Sequence, residues 1–293
     1  MIRAWLRLLR VPNLLTVPGD PLAGYLLAAG AAAAPDSRLA LAVLAGLCFY
    51  AGGLVMNDWA DREVDRNERP DRPIASGRIA PGRAQVVFIA LFLAGLLAGA
   101  AAGRGVLVVA LALLASISAY NLLHRAGPLA GLLMGGCRGL SLLLGVAVAG
   151  VGSIRAWTGA VLVAGFVVAI TALARHEIEQ ARLGWRVWTP AAVVLAGFAA
   201  MERMTQLSRD MEFRMAGAFF FTFALAGLAA WRMREGGPRM APNAIGLLIG
   251  ALIPLQAALC LAAGAGVWSM AAAFLVIIAW PLNRWLARSI SPS

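Results

Sequence analysis

The chain of 293 residues has no lysine, only two histidines and three cysteines, and just 13% of its residues are charged. The cysteines (Cys48, Cys137 and Cys260) stand singly in apolar runs, which speaks for small buried side chains and against disulfides or thiolate metal sites. Charge this sparse, in a chain that is 61% hydrophobic with a mean hydropathy of +0.80, excludes an ordinary soluble protein. No linker or composition break is large enough to set off a soluble domain, so residues 1–293 are expected to form one membrane domain. No small-residue cleavage site precedes the first apolar run, which argues against a signal peptide. The net charge of +11 comes from 25 basic residues, all of them arginine. They lie in short loops between apolar runs and not on a soluble face, which argues against nucleic-acid binding.

What the chain does have is apolar runs of membrane-spanning length. After an amphipathic start, MIRAWLRLLRVPN, suited to a membrane interface, ten apolar segments follow. They run at about 14–33, 39–57, 84–102, 105–123, 129–151, 157–174, 187–201, 213–233, 243–263 and 266–286, the seventh being short. Arginines concentrate in the loops after even-numbered segments, six of them in 58–83 alone. The positive-inside bias therefore predicts both termini and both polar patches on the cytoplasmic side of the cytoplasmic (inner) membrane.

The first patch, Asn57 to Gly77, reads NDWADREVDRNERPDRPIASG and holds six of the 14 acidic residues directly after an apolar run. Asp58, Asp61 and Asp65 are spaced i, i+3, i+7 and share one helical face within about 60°, while Glu63 points elsewhere. Carboxylates so placed repel one another unless a cation sits among them, and Mg²⁺ suits oxygen donors at a membrane edge. Arg62, Arg66, Arg69, Arg72 and Arg78 stand close enough in sequence to hold phosphate oxygens. Metal and guanidinium around a diphosphate stabilise charge on a leaving group. An apolar cavity beside it would shield the carbocation of an ionising allylic prenyl diphosphate from water. The alternative is a solvated, salt-bridged loop. The second patch, Ala174 to Arg186, follows the sixth segment and can face the first; it places Glu177 and Gln180 on one helical face, with His176 beside Gln180.

These motifs resemble those of the UbiA family of intramembrane prenyltransferases, and the resemblance spans nearly the whole chain. Asn57, Asp58, Asp61 and Asp65, followed by Arg72, Pro73, Ser76 and Gly77, match the family's first signature, NDxxDxxxD with a trailing RP and Ser-Gly. Arg10, Asn13, Asp20 and Gly24 match its first helix, and Arg138 lies in a familial glycine-rich fifth helix. Tyr120, His124 and Arg125 match a YxxxKR element in which His replaces Lys. The second aspartate signature departs from the pattern, with Glu177 and Gln180 where aspartates are usual, in the manner of the EboC-type branch.

The resemblance implies an all-α polytopic membrane protein, a bundle of nine transmembrane helices (ten by the apolar runs) around a central cavity. It also implies Mg²⁺ at Asp58, Asp61, Asp65 and Glu177, and an isoprenyl diphosphate donor held by Asn57, Arg72, Arg78, Tyr120, His124, Arg125, His176 and Gln180. Asn13, Asp20 and Arg138 would lie near an acceptor whose identity the sequence leaves open. Asp20 reads equally as a base or as part of a helix break, Arg138 as a buried functional charge or an interfacial side chain, and His176 as a ligand or a plain hydrogen-bonding group. A non-catalytic lipid carrier on the same scaffold is the alternative function. A CDP-alcohol phosphotransferase is disfavoured, because its DGxxAR…GxxxDxxxD run is missing.

Overall fold

In a bilayer every backbone amide and carbonyl must be satisfied within the protein, so apolar runs become helices. The computed structural model describes residues 2–123, 128–178, 184–205, 207–236 and 241–290, and the described residues are helical with short connections.

The predicted first span is not continuous. It divides into α1 (Ile2–Leu8), α2 (Val11–Leu14) and α3 (Gly19–Ala29). Pro18 and Pro21 bring no amide to the ladder, and the Asp20 amide bonds the Val17 carbonyl at 3.2 Å, leaving the Thr16 carbonyl without its usual helical donor. The following span is α4 (Ser37–Ala60), started by Asp36, whose Oδ1 accepts from the Leu39 amide at 3.1 Å. Within the predicted loop 58–83 lies a further short helix, α5 (Arg62–Glu68).

Then come α6 (Pro81–Ala102), α7 (Arg104–Leu123), α8 (Pro128–Ala149) and α9 (Ile154–Ile178). A 3-10 turn at Gly184–Trp188 leads into α10 (Thr189–Met204), and α11 (Arg209–Gly236) follows. The ninth apolar segment is divided at Ala251 into α12 (Ala241–Gly250) and α13 (Leu252–Ala262), and α14 (Val267–Ile290) ends the bundle.

Eight stretches among the described residues are long and apolar enough to cross a membrane, which makes this a multi-pass membrane protein. The difference from ten apolar segments lies in α3 and α10, which have 11 and 16 residues. At about 1.5 Å per residue both fall short of a hydrocarbon core about 30 Å thick.

Short as it is, α3 lies inside the bundle. α3 is buried along almost its whole length and packs against α4, α8, α9, α13 and α14. Its closest neighbour is α8, and glycine sets that spacing. A Cβ on Gly24 would overlap the Leu142 carbonyl, and one on Gly145 would overlap the Pro21 carbonyl. Small residues allow the same close approach between α8 and α9, where a Cβ on Gly139 would lie 3.2 Å from the Ala160 carbonyl. The outer surfaces of α6, α7 and α14 expose Val86, Leu97, Val108, Phe274 and Leu275, as lipid-facing surfaces should. Cys48 and Cys260 are buried and Cys137 half-buried, and all three are free thiols.

Candidate active site

The chain carries its helical hydrogen bonding through the end of α4 into α5: the Asp61 amide bonds the Asn57 carbonyl at 3.0 Å and the Asp65 amide bonds the Asp61 carbonyl at 2.9 Å. Asp61 stays in right-handed helical geometry at the junction. Asp58 and Asp65 consequently share a face, and both are only 5% exposed. The chain leaves helical geometry at Arg69 (φ −143°, ψ 63°) and turns back there, with the Arg72 amide on the Arg69 carbonyl at 3.0 Å. That return places Arg72 over the same face, where its Nη1 donates to Asp65 Oδ2 at 2.7 Å and to Asp58 Oδ1 at 3.2 Å.

Arg10 approaches from the other side, with Nη2 3.6 Å from Asp58 Oδ1. Arg10 is the one described non-glycine residue at positive φ, 44°. Such a conformation costs about 1–2 kcal/mol, and here it coincides with a guanidinium set beside a buried carboxylate. Among the described residues no three His, Cys, Asp or Glu side chains converge as a metal cage. The oxygens of Asp58 and Asp65 that Arg72 bridges are nevertheless a two-carboxylate donor set, suited to a hard cation that keeps other ligand positions for water or phosphate.

Behind this cluster lies a cavity of about 340 Å³ between α4, α7, α8, α9 and α12. Arg10, Asn13, Asn57 and Tyr120 line it together with the apolar side chains of Phe49, Leu54, Leu113, Ile117, Val167 and Ile170. It is within the usual size range of small-molecule sites.

Arg138 is buried at the cavity wall, 6% exposed, and does not snorkel to an interface. Its Nη2 donates to the Thr16 carbonyl at 2.7 Å and pairs with Asp20 Oδ2 at 3.2 Å. The carbonyl left open by the proline-rich break thus serves as an acceptor for a membrane-embedded charge. Gln256 of α13 completes the arrangement, donating from Nε2 to the same Thr16 carbonyl at 2.7 Å and to Asp20 Oδ1 at 2.5 Å. Asp20 is fully buried and stands behind Arg138, outside the cavity lining.

A model of the UbiA prenyltransferase family matches residues 21–291. The chain belongs to that family. Among its relatives is the digeranylgeranylglyceryl phosphate synthase of Methanothrix thermoacetophila, 35% identical over 140 residues that make up 48% of this chain and 50% of that protein. Another is the synthase of the same name from Methanoculleus marisnigri, 41% identical over 32% of this chain and 33% of that protein. The match thus spans about half the length of these relatives, or less.

Solved structures share the UbiA fold. A UbiA homologue from Aeropyrum pernix K1 superposes with a TM-score of 0.67 at 17% identity, covering 84% of this chain and 96% of that one. A UbiA homologue from Archaeoglobus fulgidus bound to GPP and Mg²⁺ superposes with a TM-score of 0.62 at 16% identity, covering 87% of this chain and 99% of that one.

Measured against the UbiA signatures, the structure brings Asn13, Asn57, Asp58, Asp65, Arg72, Tyr120 and Arg138 to the cavity or its mouth. Asp61 stands at the helix junction between the two buried aspartates. Arg78 lies apart: it is exposed and spends its donors on Ser76 Oγ, at 2.9 Å, and on the Asp71 carbonyl of its own loop. Arg62 stacks on Trp59, with its guanidinium carbon 4.8 Å from the ring centroid, and Arg66 pairs with Glu63 at 2.7 Å. His124, Arg125 and Gln180, and the side chains of His176 and Glu177, lie outside the described residues. Sequence reasoning missed Gln256, although a lone glutamine inside the apolar run ALIPLQAALC was its signal. It also missed Arg10 as the partner of Asp58.

Proposed function

We propose that this chain transfers a prenyl group from an isoprenyl diphosphate to an acceptor within the membrane, with Mg²⁺ as its cofactor. The observation that carries this reading is the set of Asp58, Asp65, Arg10 and Arg72 at the mouth of a largely apolar intramembrane cavity. Asp58 and Asp65, with Asp61 between them and Glu177 from the end of α9, would hold the cation. When bound, Mg²⁺ neutralises the diphosphate and eases its departure. Arg10 and Arg72 are placed to take up phosphate oxygens through their guanidinium groups. As the allylic C–O bond breaks, pyrophosphate leaves toward these arginines, and the apolar wall keeps water from the cationic carbon. The acceptor's nucleophilic atom bonds to that carbon and gives up its proton.

The relatives' name points to a glyceryl phosphate lipid as the first acceptor to try, and the homologue bound to GPP and Mg²⁺ supports the donor and the metal. The arginine bias of the even-numbered loops supports a cytoplasm-facing mouth in the inner membrane.

The test is to incubate membranes containing the protein with labelled prenyl diphosphates and a lipid extract, with and without Mg²⁺. Metal-dependent transfer that disappears in Asp58→Ala is the expected result. Pyrophosphate release that persists undiminished in Asp58→Ala would overturn the assignment. Binding of the donor with no turnover for any acceptor would favour the carrier reading.

A further inference from the structure

Two arginines line the reaction cavity, and among the described residues no carboxylate does. Arg10 belongs to the mouth, where Asp58 is its counter-charge at 3.6 Å. Arg138 stands well into α8, and the stretch of helix from Pro128 to Arg138 spans about 15 Å. That is half of a hydrocarbon core about 30 Å thick. The cavity thus carries one cationic station at its mouth and another deep in the membrane.

The charge of the deep station is already balanced. Asp20 Oδ2 lies 3.2 Å from Arg138 Nη2 and supplies the opposite charge from behind the cavity wall. Gln256 and the Thr16 carbonyl add only neutral dipoles. Its hydrogen bonding is not complete. Nη2 carries both polar contacts, whereas Nη1 makes none among the described residues and Nε is buried with no acceptor. Tyr50 packs against the guanidinium, whose carbon lies 5.9 Å from the ring centroid, and helps to hold its plane.

A buried N–H without an acceptor costs free energy, so a wall with spare donors gains from an oxygen that a ligand delivers. Charge decides which oxygen. A carboxylate or phosphate brought to a pair that is already neutral adds a negative charge with no partner at mid-membrane depth. An uncharged oxygen adds none.

We propose that Arg138 positions the acceptor by donating from Nη1 and Nε to an uncharged hydroxyl, ether or carbonyl oxygen, and that the acceptor is a lipid with a neutral, hydroxylated head at this depth. The inference rests on the prenyl-transfer reading and names the acceptor class for it. A glyceryl lipid meets the requirement when its glycerol oxygens face Arg138 and any phosphate stays at the mouth with Arg10. The oxygen that Arg138 holds is not the one alkylated, because a guanidinium hydrogen bond draws electron density away from it. The acceptor therefore carries at least two oxygens.

The experiment uses the purified full-length protein at mildly alkaline pH, with Mg²⁺ and a non-hydrolysable prenyl diphosphate analogue filling the donor site. It is titrated with 1-monolaurin, a neutral diol, or with laurate, a carboxylate on a matching chain, and bound molecules are counted by native mass spectrometry. The wild type is expected to bind monolaurin about tenfold more tightly than laurate. Asp20→Asn removes the counter-charge and leaves Arg138 positive, so the preference should reverse toward laurate, which loss of fold does not produce. Arg138→Lys keeps a positive charge against Asp20 but lacks the spare donors. It should bind monolaurin about tenfold more weakly and the donor analogue as the wild type does. A wild type that binds no analogue overturns the transfer reading and this one with it. An analogue-bound wild type that prefers laurate overturns this one alone. So does undiminished monolaurin binding in Arg138→Lys, or an unchanged preference in an Asp20→Asn variant that still binds the analogue.

Discussion

A single nitrogen of Arg72 bridges Asp65 and Asp58, at 2.7 Å and 3.2 Å. Arg72 and a divalent cation therefore compete for the same two carboxylate oxygens. In Arg72→Gln the aspartates lose their guanidinium and face one another, so divalent binding without donor should tighten, on the order of tenfold. Affinity for a prenyl diphosphate should fall, because the same side chain is placed to take up its phosphate. Calorimetric titration with Mg²⁺ and with a non-hydrolysable donor analogue measures both. Weaker Mg²⁺ binding in the variant would mean that Arg72 organises the carboxylates instead of competing for them.

Arg10 offers a separable pair of effects. Its left-handed backbone suits glycine, and its guanidinium suits Asp58. Arg10→Gly loses the charge and relieves the strain, whereas Arg10→Ala loses the charge and keeps it. The glycine variant should be the more stable of the two by about 1 kcal/mol, while both bind the donor analogue more weakly than the wild type. Equal thermal stability of the two variants would show that the φ of 44° carries no cost.

The carboxylate face was legible because i, i+3, i+7 spacing survives any helical continuation, and α4 does continue into α5. The clamp on that face was not, because it needs the turn after α5, at Arg69, to bring Arg72 back to Asp58, 14 positions away in sequence. The break in the first span was written in Pro18 and Pro21, but hydropathy averages over prolines and reads 14–33 as one helix. Asp20, Arg138 and Gln256 meet from three helices with as many as 236 positions between bonded partners, and no local period reports such a meeting. The UbiA membership followed from the first signature, which is compact in sequence. The second signature begins at the end of α9, and its later residues lie outside the described ones.

Asp20 and Arg138 are buried in apolar surroundings and paired at 3.2 Å, with Gln256 bonded to the acid. Removing one partner leaves an uncompensated charge, for which about 3–5 kcal/mol is typical. Arg138→Leu and Asp20→Leu should each destabilise by that order, and the double variant by less than the sum. The cycle is read from thermal unfolding in detergent. Gln256→Leu should cost less than either single change, since Arg138 still holds Asp20. Additive single effects would show that the pair is not coupled.

The α3–α8 contact makes a sharp packing prediction. A methyl at Gly145 meets the Pro21 carbonyl, and the helices must separate to admit it. Gly145→Ala should lower stability by about 1–3 kcal/mol. It should also shift Thr16 away from Arg138, so donor or acceptor binding falls with it. Gly217→Ala in α11, where a Cβ meets nothing within 4 Å, is the control; it should be neutral or stabilising by up to about 1 kcal/mol. If Gly145→Ala matches this control, the close approach of the two backbones does not set the bundle's spacing.

The proposed orientation, with the aspartate mouth toward the cytoplasm, can be read with thiol labelling. Ser37 and Arg69 are both exposed and flank opposite ends of α4, whose 24 residues span about 36 Å. With the aspartate mouth facing the cytoplasm, Ser37→Cys should react with a membrane-impermeant maleimide in intact cells. Arg69→Cys should react only after the membrane is opened. The buried thiols of Cys48 and Cys260 should stay silent in both conditions, and half-buried Cys137 sets the background to subtract. Labelling of Arg69→Cys in intact cells would invert the topology and place diphosphate chemistry on the outer face, where a donor made in the cytoplasm could not reach it without a carrier.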